Sequence, residues 1–267
     1  MANDFEKYGV RPSKKLGQNF LIDKNISSKI ARQLSRPEGK IVMEIGCGLG
    51  GLTEHLLELP IQKLIAVEYD RACIKYLHDL QENNSKIQIV AEDALRIDEN
   101  ALVEGNRFSI VSNLPYNISV VLLIKWLDKL SSIDEMVLMF QKEVAERIAA
   151  KPGSKVYGIV SVLAQYMCNI EYCFDVPPTV FYPPPKVMSG IVRVVPKKMD
   201  EERIITYQKI KMLCNKVFNQ RRKMLRNTLK DIFEDPEKEL QSIGLNGQMR
   251  PEELSVEDFE RLVKRGL

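Results

Sequence analysis

Short apolar runs rich in β-branched residues alternate with amphipathic stretches through the first half of the chain. The runs are KIVMEI (40–45), KLIAVE (63–68), KIQIV (86–90), FSIVS (108–112) and EMVLMF (135–140). Helical patterns such as RACIKYLHDLQ and SVVLLIKWLDKL stand between them. Because a strand, a helix and the next parallel strand form a right-handed crossover, this order predicts an α/β fold with a parallel sheet and helices on both of its faces.

Two further runs predict the edge of the sheet. YMCNIEYCF (166–174) and GIVRVV (190–195) flank a proline-rich linker, which favours an antiparallel hairpin added at the sheet edge. After Pro196 the pattern is helical and basic, and no strand-like run follows. We therefore expect a seven-stranded Rossmann-like domain over residues 1–196 and an all-helical domain over residues 197–267.

Composition narrows the class of protein. The chain has 267 residues, of which 45% are hydrophobic and 28% charged, so a packed core is expected. Its five cysteines form no CxxC pair, and two histidines are too few for a histidine-based zinc site. The N-terminus has no signal-peptide core, and no run reaches membrane-spanning length. We predict a cytoplasmic protein without a metal and without a membrane partner.

Positive charge is concentrated in two regions. Between Lys197 and Lys230 there are eleven basic and three acidic residues, whereas residues 231–267 hold five basic and ten acidic ones. Residues 1–32 hold seven basic and three acidic residues. This distribution predicts a localised surface for a polyanion, although solvated helix faces produce the same pattern.

The candidate phosphate contacts lie in these two regions. They are Arg221, Arg222, Lys223 and Arg226 on one predicted helix, and Arg11, Lys14 and Lys15 in the N-terminal arm. Leu225 and Leu229 mark the buried side of the helix, and no acid within the run neutralises it. Phosphate binding is therefore the favoured interpretation of the helix, while the arm fits either RNA contact or disorder.

A glycine loop, EIGCGLGGL, follows the first predicted strand. Gly46, Gly48 and Gly50 allow a sharp turn and a close approach of the backbone to a ligand. Glu68 ends the second strand, where an acid can accept from ribose hydroxyls, and Asp93 follows the third, where it can accept from an adenine amino group. Both NAD and S-adenosylmethionine are compatible with these residues.

The segment SNLPYNIS (112–119), after the fourth strand, distinguishes the two cofactors. Pro115 disfavours a helical Leu114, so the Leu114 carbonyl can point outward beside the Asn113 side-chain oxygen. Two converging acceptors match the two N–H donors of a base amine and favour a pyramidal nitrogen with an available lone pair. Tyr116 offers a face for a base taken out of its stack. The arrangement suits methyl transfer without a general base and offers nothing to hydride transfer.

The chain resembles the ribosomal RNA adenine dimethyltransferases, which dimethylate two adjacent adenosines near the 3′ end of small-subunit rRNA. It is similar, less closely, to the macrolide-resistance methyltransferases of large-subunit rRNA. The matching segments are KKLGQNFL, EIGCGLGGLT, EDAL, NLPYNIS, KEVAERI, KPGSKVYG, FYPPPKV, FNQRRKMLRN and RPEELSVEDF. The last two favour the small-subunit branch.

The resemblance implies S-adenosylmethionine as cofactor and the small ribosomal subunit precursor, with its rRNA, as partner of a monomeric enzyme. The implied cofactor-binding residues are Asn19, Leu21, Gly46, Gly48, Glu68, Asp93 and Asn113. The implied catalytic residues are Asn113, Leu114, Tyr116 and Phe181, the last as a second aromatic ring against the target base. Two positions depart from the family pattern: Cys47 replaces a proline, which is expected to loosen the glycine loop slightly, and Met188 replaces an acid.

Two other functions remain to be distinguished. A non-catalytic ribosome-assembly factor would keep the fold and bind RNA, but the intact Glu68, Asp93 and NLPY motif argue against loss of catalysis. An NAD-dependent oxidoreductase would require a proton-relay residue near the glycine loop, and the sequence offers no evident one.

Overall fold

The computed structural model describes residues 2–13 and 16–266. Two of the predicted RNA contacts, Lys14 and Lys15, lie outside these residues. No helix in the described ranges is both long and apolar enough to cross a bilayer. The same ranges contain no group of three or more Cys, His, Asp or Glu side chains that could hold a metal ion.

The described residues form nine strands. They are β1 (Phe20–Leu21), β2 (Ile41–Ile45), β3 (Lys63–Glu68), β4 (Ile87–Ala91), β5 (Phe108–Asn113), β6 (Ile133–Gln141), β7 (Cys168–Val176), β8 (Phe181–Tyr182) and β9 (Ser189–Pro196). Seven of them coincide with the predicted runs to within two residues at each end. The agreement reflects the β-branched and aromatic content of these runs, which suits a buried pleated surface.

Twelve α-helices occupy the remaining amphipathic stretches of the described chain. They are α1 (Ala2–Lys7), α2 (Lys24–Ala31), α3 (Thr53–Leu57), α4 (Arg71–Glu82), α5 (Glu99–Leu102), α6 (Ser119–Leu127), α7 (Lys142–Ile148), α8 (Ile159–Met167), α9 (Glu201–Phe218), α10 (Leu225–Thr228), α11 (Pro236–Ser242) and α12 (Val256–Gly266). Five of them begin after an aspartate whose carboxylate accepts a backbone N–H of the first turn: Asp23, Asp70, Asp98, Asp200 and Asp235. These caps stabilise N–H groups that have no partner within the helix.

Seven strands form one sheet in the order β4-β3-β2-β5-β6-β9-β7. The pairs from β4 to β6 are parallel, and β9 runs antiparallel to β6. The seven-stranded Rossmann-like sheet and the placement of β7 and β9 at its edge are therefore confirmed. Since the chain leaves β2 toward β3 and later returns on the other side to β5, the strand order reverses between β2 and β5.

The centre of the sheet is fully buried. Val42, Leu64, Ile110 and Val137, one from each of four neighbouring strands, have no exposed surface. A parallel sheet covered on both faces has this continuous apolar content. Most of the candidate functional residues accordingly lie at or just after the strand ends.

Within the C-terminal unit, which comprises residues 146–170 and 196–267, α9 packs against α8 and α12. Tyr207, Ile210, Cys214 and Val217 of α9 are buried at a spacing of three to four residues, which defines one apolar helix face. Phe218 extends this core, since its ring stacks on Phe259 at a centroid distance of 5.9 Å.

The compact units differ from the predicted domains. One unit comprises residues 1–145 and 171–195, and the other comprises residues 146–170 and 196–267. The boundary at 195/196 lies beside the predicted one, but residues 146–170 group with the C-terminal segment. The reason is that α8 is apolar at most positions and packs on α9. A separate RNA-binding domain over 197–267 stays a prediction.

A buried carboxylate links distant parts of the first unit. Glu135 of β6 is 3% exposed and accepts hydrogen bonds from Lys40 Nζ at 2.7 Å, Arg193 Nε at 2.9 Å and the Ser35 backbone N–H at 3.0 Å. The three donors compensate for the loss of hydration of the carboxylate. Removing the carboxylate would leave two cations in a partly buried site.

We expect Glu135→Ala to lower the free energy of unfolding by about 3–5 kcal/mol, because the change leaves buried charge without its partner. Urea unfolding of the wild type and the variant measures this difference. Glu58→Ala is the control, since the carboxylate of Glu58 is 67% exposed and pairs only with His55 among the ion pairs of the described residues. Equal losses in the two variants would contradict the role assigned to Glu135.

Candidate active site

A cleft of about 300 Å³ lies at the carboxyl ends of β2, β3, β4 and β5. In doubly wound sheets, ligands bind at this edge, next to the reversal of strand order. Among the residues that line it are nine of the predicted site residues: Asn19, Leu21, Gly46, Gly48, Glu68, Asp93, Asn113, Leu114 and Tyr116. Phe181 is the one predicted cofactor-binding or catalytic residue that is not in the lining.

The glycine loop requires glycine for two reasons. Gly46 and Gly48 have φ angles of +73° and +56°, which other residues rarely adopt. A Cβ atom at Gly48 would also lie 2.8 Å from the Phe20 ring. The loop is thus a bare backbone surface packed closely under an aromatic side chain, as a ligand-cradling loop needs.

Cys47 fills the position where the family pattern has proline. Its side chain is 5% exposed, and Sγ lies 3.6 Å from Glu44 O and 3.8 Å from Val67 O. Burial raises the pKa of this thiol well above its usual value. The neighbouring Gly46 N–H donates to Val67 O at 2.8 Å, which anchors the loop to β3. Loosening of the loop by Cys47 stays a prediction.

The Glu68 carboxylate is held by the backbone around it. Oε2 accepts the Gly48 N–H at 2.8 Å, and Oε1 accepts the N–H groups of Tyr69 and Asp70, each at 2.8 Å. Burial raises the pKa of Glu68 even though these three hydrogen bonds oppose the rise. Since a carboxylate oxygen accepts at more than one lone pair, Oε2 keeps capacity for a hydroxyl donor in the cleft.

Asp93 occupies the turn that follows β4. Its Oδ1 accepts the Leu95 N–H at 2.9 Å, and Oδ2 lies 3.9 Å from Arg96 Nε. The side chain is 35% exposed. Asp93 therefore stabilises its own turn while presenting a carboxylate to the cleft.

The orientation of the Asn113 amide is set by the N-terminal segment. Asn113 Nδ2 donates to the backbone carbonyl of Asn19 at 3.2 Å. Because the nitrogen is engaged there, the amide directs Oδ1 away from Asn19. Asn113 thus carries an acceptor oxygen at the end of β5, and its role toward a target amine stays a prediction.

The NLPY segment ends in a turn that closes after Leu114. The Ile118 N–H donates to Pro115 O at 3.1 Å, and α6 begins only at Ser119. The Tyr116 hydroxyl lies 2.6 Å from Ser189 Oγ, and burial raises the pKa of that hydroxyl. Tyr116 is therefore a neutral ring whose hydroxyl is tethered to Ser189. The convergence of Asn113 Oδ1 and Leu114 O beside it stays a prediction.

Phe181 does not reach the cleft. It pairs with Leu21 in the two-stranded ribbon formed by β1 and β8, and it is 2% exposed within the hydrophobic core. Neighbouring residues of a strand point to opposite faces, and Tyr182 accordingly is 50% exposed. The alternation of side chains along β8 therefore places the Phe181 ring in the core and the Tyr182 ring at the surface. The sequence alone did not indicate which of the two rings is buried.

Glu44 is a cleft residue that the sequence interpretation missed. It is 1% exposed, lines the cleft, and has an Oε2 atom without a hydrogen-bond partner among the described residues. Burial raises its pKa to about 8. The available signal is an acid inside the apolar run KIVMEI, a pattern that by itself predicts only a strand.

The predicted RNA contacts of the C-terminal unit do not share a helix. Residues 219–224 form turns between α9 and α10, so the expectation of one helix through Arg221 and Arg226 is wrong. Leu225 and Leu229 are fully buried, as predicted. The side chains of Arg222 and Lys223 are exposed.

Folding also brings acids to the basic run. Arg221 Nε lies 3.7 Å from Glu252 Oε2, and Arg226 Nη1 lies 3.8 Å from Glu237 Oε1. Both acids are remote in sequence, which corrects the view that nothing neutralises the run. In the N-terminal arm, Arg11 is exposed.

The fold and cleft define a Rossmann-like α/β protein of the methyltransferase type. Residues 10–266 match the family model described as ribosomal RNA adenine dimethylase. The chain is 42% identical over 259 residues to the ribosomal RNA small subunit methyltransferase A of Wolbachia pipientis wMel, covering 96% of this chain and 90% of that protein. The chain therefore belongs to the ribosomal RNA adenine dimethylase family, which confirms the resemblance.

Solved structures agree with this assignment. A dimethyladenosine transferase from Plasmodium falciparum superimposes with a TM-score of 0.78 at 27% identity, covering 91% of this chain and 95% of that one. The 23S rRNA methyltransferase ErmE superimposes with a TM-score of 0.72 at 21% identity, covering 92% and 99%, and shares the fold.

We expect wild-type stability to fall relative to Glu44→Gln as pH rises from about 5 to 8. A carboxyl whose pKa is 4.5 in the unfolded chain and about 8 when folded binds its proton more tightly in the native state, so deprotonation of the unfolded chain favours unfolding over that interval. The difference should reach a few kcal/mol. Denaturant unfolding across this pH range measures it, with Glu38→Gln at an exposed glutamate as control. A difference independent of pH would contradict this assignment.

Proposed function

We propose that the protein transfers methyl groups from S-adenosylmethionine to N6 of two adjacent adenosines near the 3′ end of small-subunit rRNA. The observation that carries the proposal is the Asn113 amide, whose nitrogen is held by Asn19 O so that its oxygen is presented beside Leu114 and Tyr116. Membership of the adenine dimethylase family supports it, and the similarity to a relative named for the small subunit favours that substrate.

The cleft residues fit the proposed cofactor. Glu68 Oε2 can accept a ribose hydroxyl, and the Asp93 carboxylate can accept from the adenine amino group. The glycine loop leaves room for close approach of a ligand, since Gly46 and Gly48 in the lining carry no side chain. S-adenosylmethionine would supply a methyl group on a sulfonium.

Asn113 and Leu114 orient the target amine. In the first transfer Asn113 Oδ1 and Leu114 O accept the two N–H donors of the amine, and in the second transfer one of them accepts the single N–H that remains. These contacts draw the nitrogen lone pair out of conjugation with the ring. Tyr116 supports the base on its ring face, since Ser189 holds the hydroxyl in place. The methylated amine is acidic and releases its proton to solvent, so no side chain acts as a base. These contacts gain most strength in the transition state.

The proposed substrate is the small ribosomal subunit precursor, bound by a monomer in the cytoplasm, where that particle is assembled. A base can reach Tyr116 only when it is unstacked. Phosphate contacts from Arg11, Arg222 and Lys223 would supply affinity independent of sequence. The large-subunit alternative has less support, because the likeness to the 23S rRNA enzyme is one of fold.

We expect Asn113→Ala to be defective in methyl transfer and Glu68→Ala to be defective in cofactor binding. Asn113→Ala should keep much of the S-adenosylmethionine affinity and lose most methyl transfer. Glu68→Ala should weaken cofactor binding about tenfold or more, because a hydrogen bond to a charged group contributes about 1.5–3 kcal/mol. Calorimetry and mass spectrometry of dimethyladenosine in small-subunit rRNA measure the two effects.

The same experiment tests the rival function. Normal dimethylation by a folded Asn113→Ala protein would remove the amine-orienting role. Absence of dimethyladenosine from reactions of the wild type, with particle binding retained, would instead favour a non-catalytic assembly factor.

We expect the double substitution Arg222→Glu and Lys223→Glu to weaken binding to the pre-ribosomal particle and to flatten its salt dependence. The salt slope should fall by about 0.7–0.9 for each phosphate that the variant leaves without a cation. Lys264→Glu with Arg265→Glu is the control, because it changes the charge equally within the acidic C-terminal region. Salt titrations of particle binding measure the slopes. If both double variants keep the wild-type slope, the basic run is a solvated surface.

A further inference from the structure

The turn between β4 and α5 lines one end of the cleft and has little regular structure of its own. Residues 92–98 form bends and turns, and Glu92, Asp93, Ala94 and Leu95 are among the lining residues. Asp93 stabilises the turn locally. The turn's own backbone hydrogen bonds run from the N–H groups of Arg96 and Ile97 to Asp93 O, at 2.8 and 3.3 Å. A donor from outside the turn to its other carbonyls would hold it further.

Lys125 of α6 provides that group. Its Nζ donates to Ala94 O at 2.9 Å, to Ile97 O at 2.8 Å and to Glu99 Oε1 at 2.8 Å. These acceptors use all three N–H donors of the ammonium. The two carbonyls flank the middle of the turn, so the ammonium fixes it from both sides.

The site around the Lys125 ammonium is largely buried, and a second donor fixes the carboxylate with which Lys125 pairs. The Lys125 side chain is 18% exposed and that of Glu99 is 5% exposed. Trp126, which is 1% exposed, donates its Nε1–H to the same Glu99 oxygen at 2.8 Å. Adjacent residues of α6 thus converge on one carboxylate, which holds Lys125 in the position from which it binds the turn.

The helix that carries Lys125 also begins at the proposed target-base end of the cleft. Ser119 starts α6, and its Oγ donates to Tyr116 O at 3.1 Å. Lys125 lies six residues further on, which corresponds to about 9 Å along the helix axis. One rigid element therefore connects Tyr116 with the turn that carries Asp93.

We propose that Lys125 is a positioning residue that sets recognition of the cofactor's adenine by holding the turn with Asp93. The proposal rests on the proposed function, in which Asp93 accepts from the adenine amino group. Lys125 itself is not in the cleft lining, and it acts through the carbonyls of Ala94 and Ile97. Its loss should weaken binding of adenine-containing ligands and reduce discrimination at the amino group.

The test compares Lys125→Met with Lys40→Met. Both lysine side chains are 18% exposed and pair with a buried glutamate, at 2.8 Å for Lys125 and 2.7 Å for Lys40. Lys40 precedes β2 and therefore lies at the amino end of that strand, whereas the cleft lies at the carboxyl ends. Its loss therefore tests stability alone. Calorimetry gives dissociation constants for S-adenosylhomocysteine and for S-inosylhomocysteine, which has a carbonyl oxygen in place of the adenine amino group.

We expect Lys125→Met to raise the dissociation constant for S-adenosylhomocysteine about tenfold or more and to lose most of the preference over the inosine ligand. Lys40→Met should keep both wild-type values, and Lys125→Arg, which retains donors and charge, should restore part of the affinity. Turnover at saturating S-adenosylmethionine should change little in Lys125→Met.

Unchanged affinity and preference in folded Lys125→Met would overturn the proposal, as would equal losses in Lys40→Met. If Lys125→Met does not fold, the same constants are measured for Lys125→Gln, whose shorter side chain has no charge and two N–H donors instead of three, and a wild-type preference there overturns it. A wild type that binds neither ligand would instead refute the proposed cofactor, so the two failures are distinguishable.

Discussion

A sheet that is covered on both faces fills its middle mostly with apolar side chains, so most of the binding groups lie at the strand ends, and this constraint organises the site. Val42, Leu64 and Val137 have no exposed surface, so chemistry is displaced to the carboxyl edge. There the reversal of strand order between β2 and β5 opens a cleft. Glu68 ends β3 and Asn113 ends β5, the strands on either side of β2, and the glycine loop that follows β2 lies between them. Binding groups are thus brought together by topology rather than by proximity in sequence.

Hydrogen bonds to backbone carbonyls hold the functional groups in place. Asn113 is oriented by Asn19 O, and the turn after β4 is held by Lys125. Both bonds cross between segments that are distant in sequence, so neither group depends on its own loop alone. A site that must hold a base amine within hydrogen-bond distance of two acceptors requires this kind of support, because small displacements weaken catalysis. Since Ser119 and Lys125 both belong to α6, this helix contacts both the Tyr116 segment and the turn that carries Asp93.

The architecture and most of the cleft could be predicted from the sequence. The alternating runs located seven strands to within two residues, and Glu68, Asp93 and the NLPY segment, each expected at or just after the end of a strand, all line the cleft. The failures have physical causes. Phe181 points inward because its ribbon pairs it with Leu21, a pairing that no local pattern encodes. Glu44 was missed because an acid within an apolar strand gives no sign of whether it is paired.

The sequence by itself determined seven of the nine strands of the described residues to within two residues at each end, which residues follow those strands, and to which family the chain is similar, since these depend on local periodicity and motifs. Only the tertiary structure decided which charges are neutralised, which rings are exposed and which carbonyls are held. Arg221 and Glu252 are 31 positions apart yet form an ion pair, and residues 146–170 join the C-terminal unit across an intervening segment. Such contacts arise from packing of remote segments, and the free energy of that packing is a property of the folded chain as a whole.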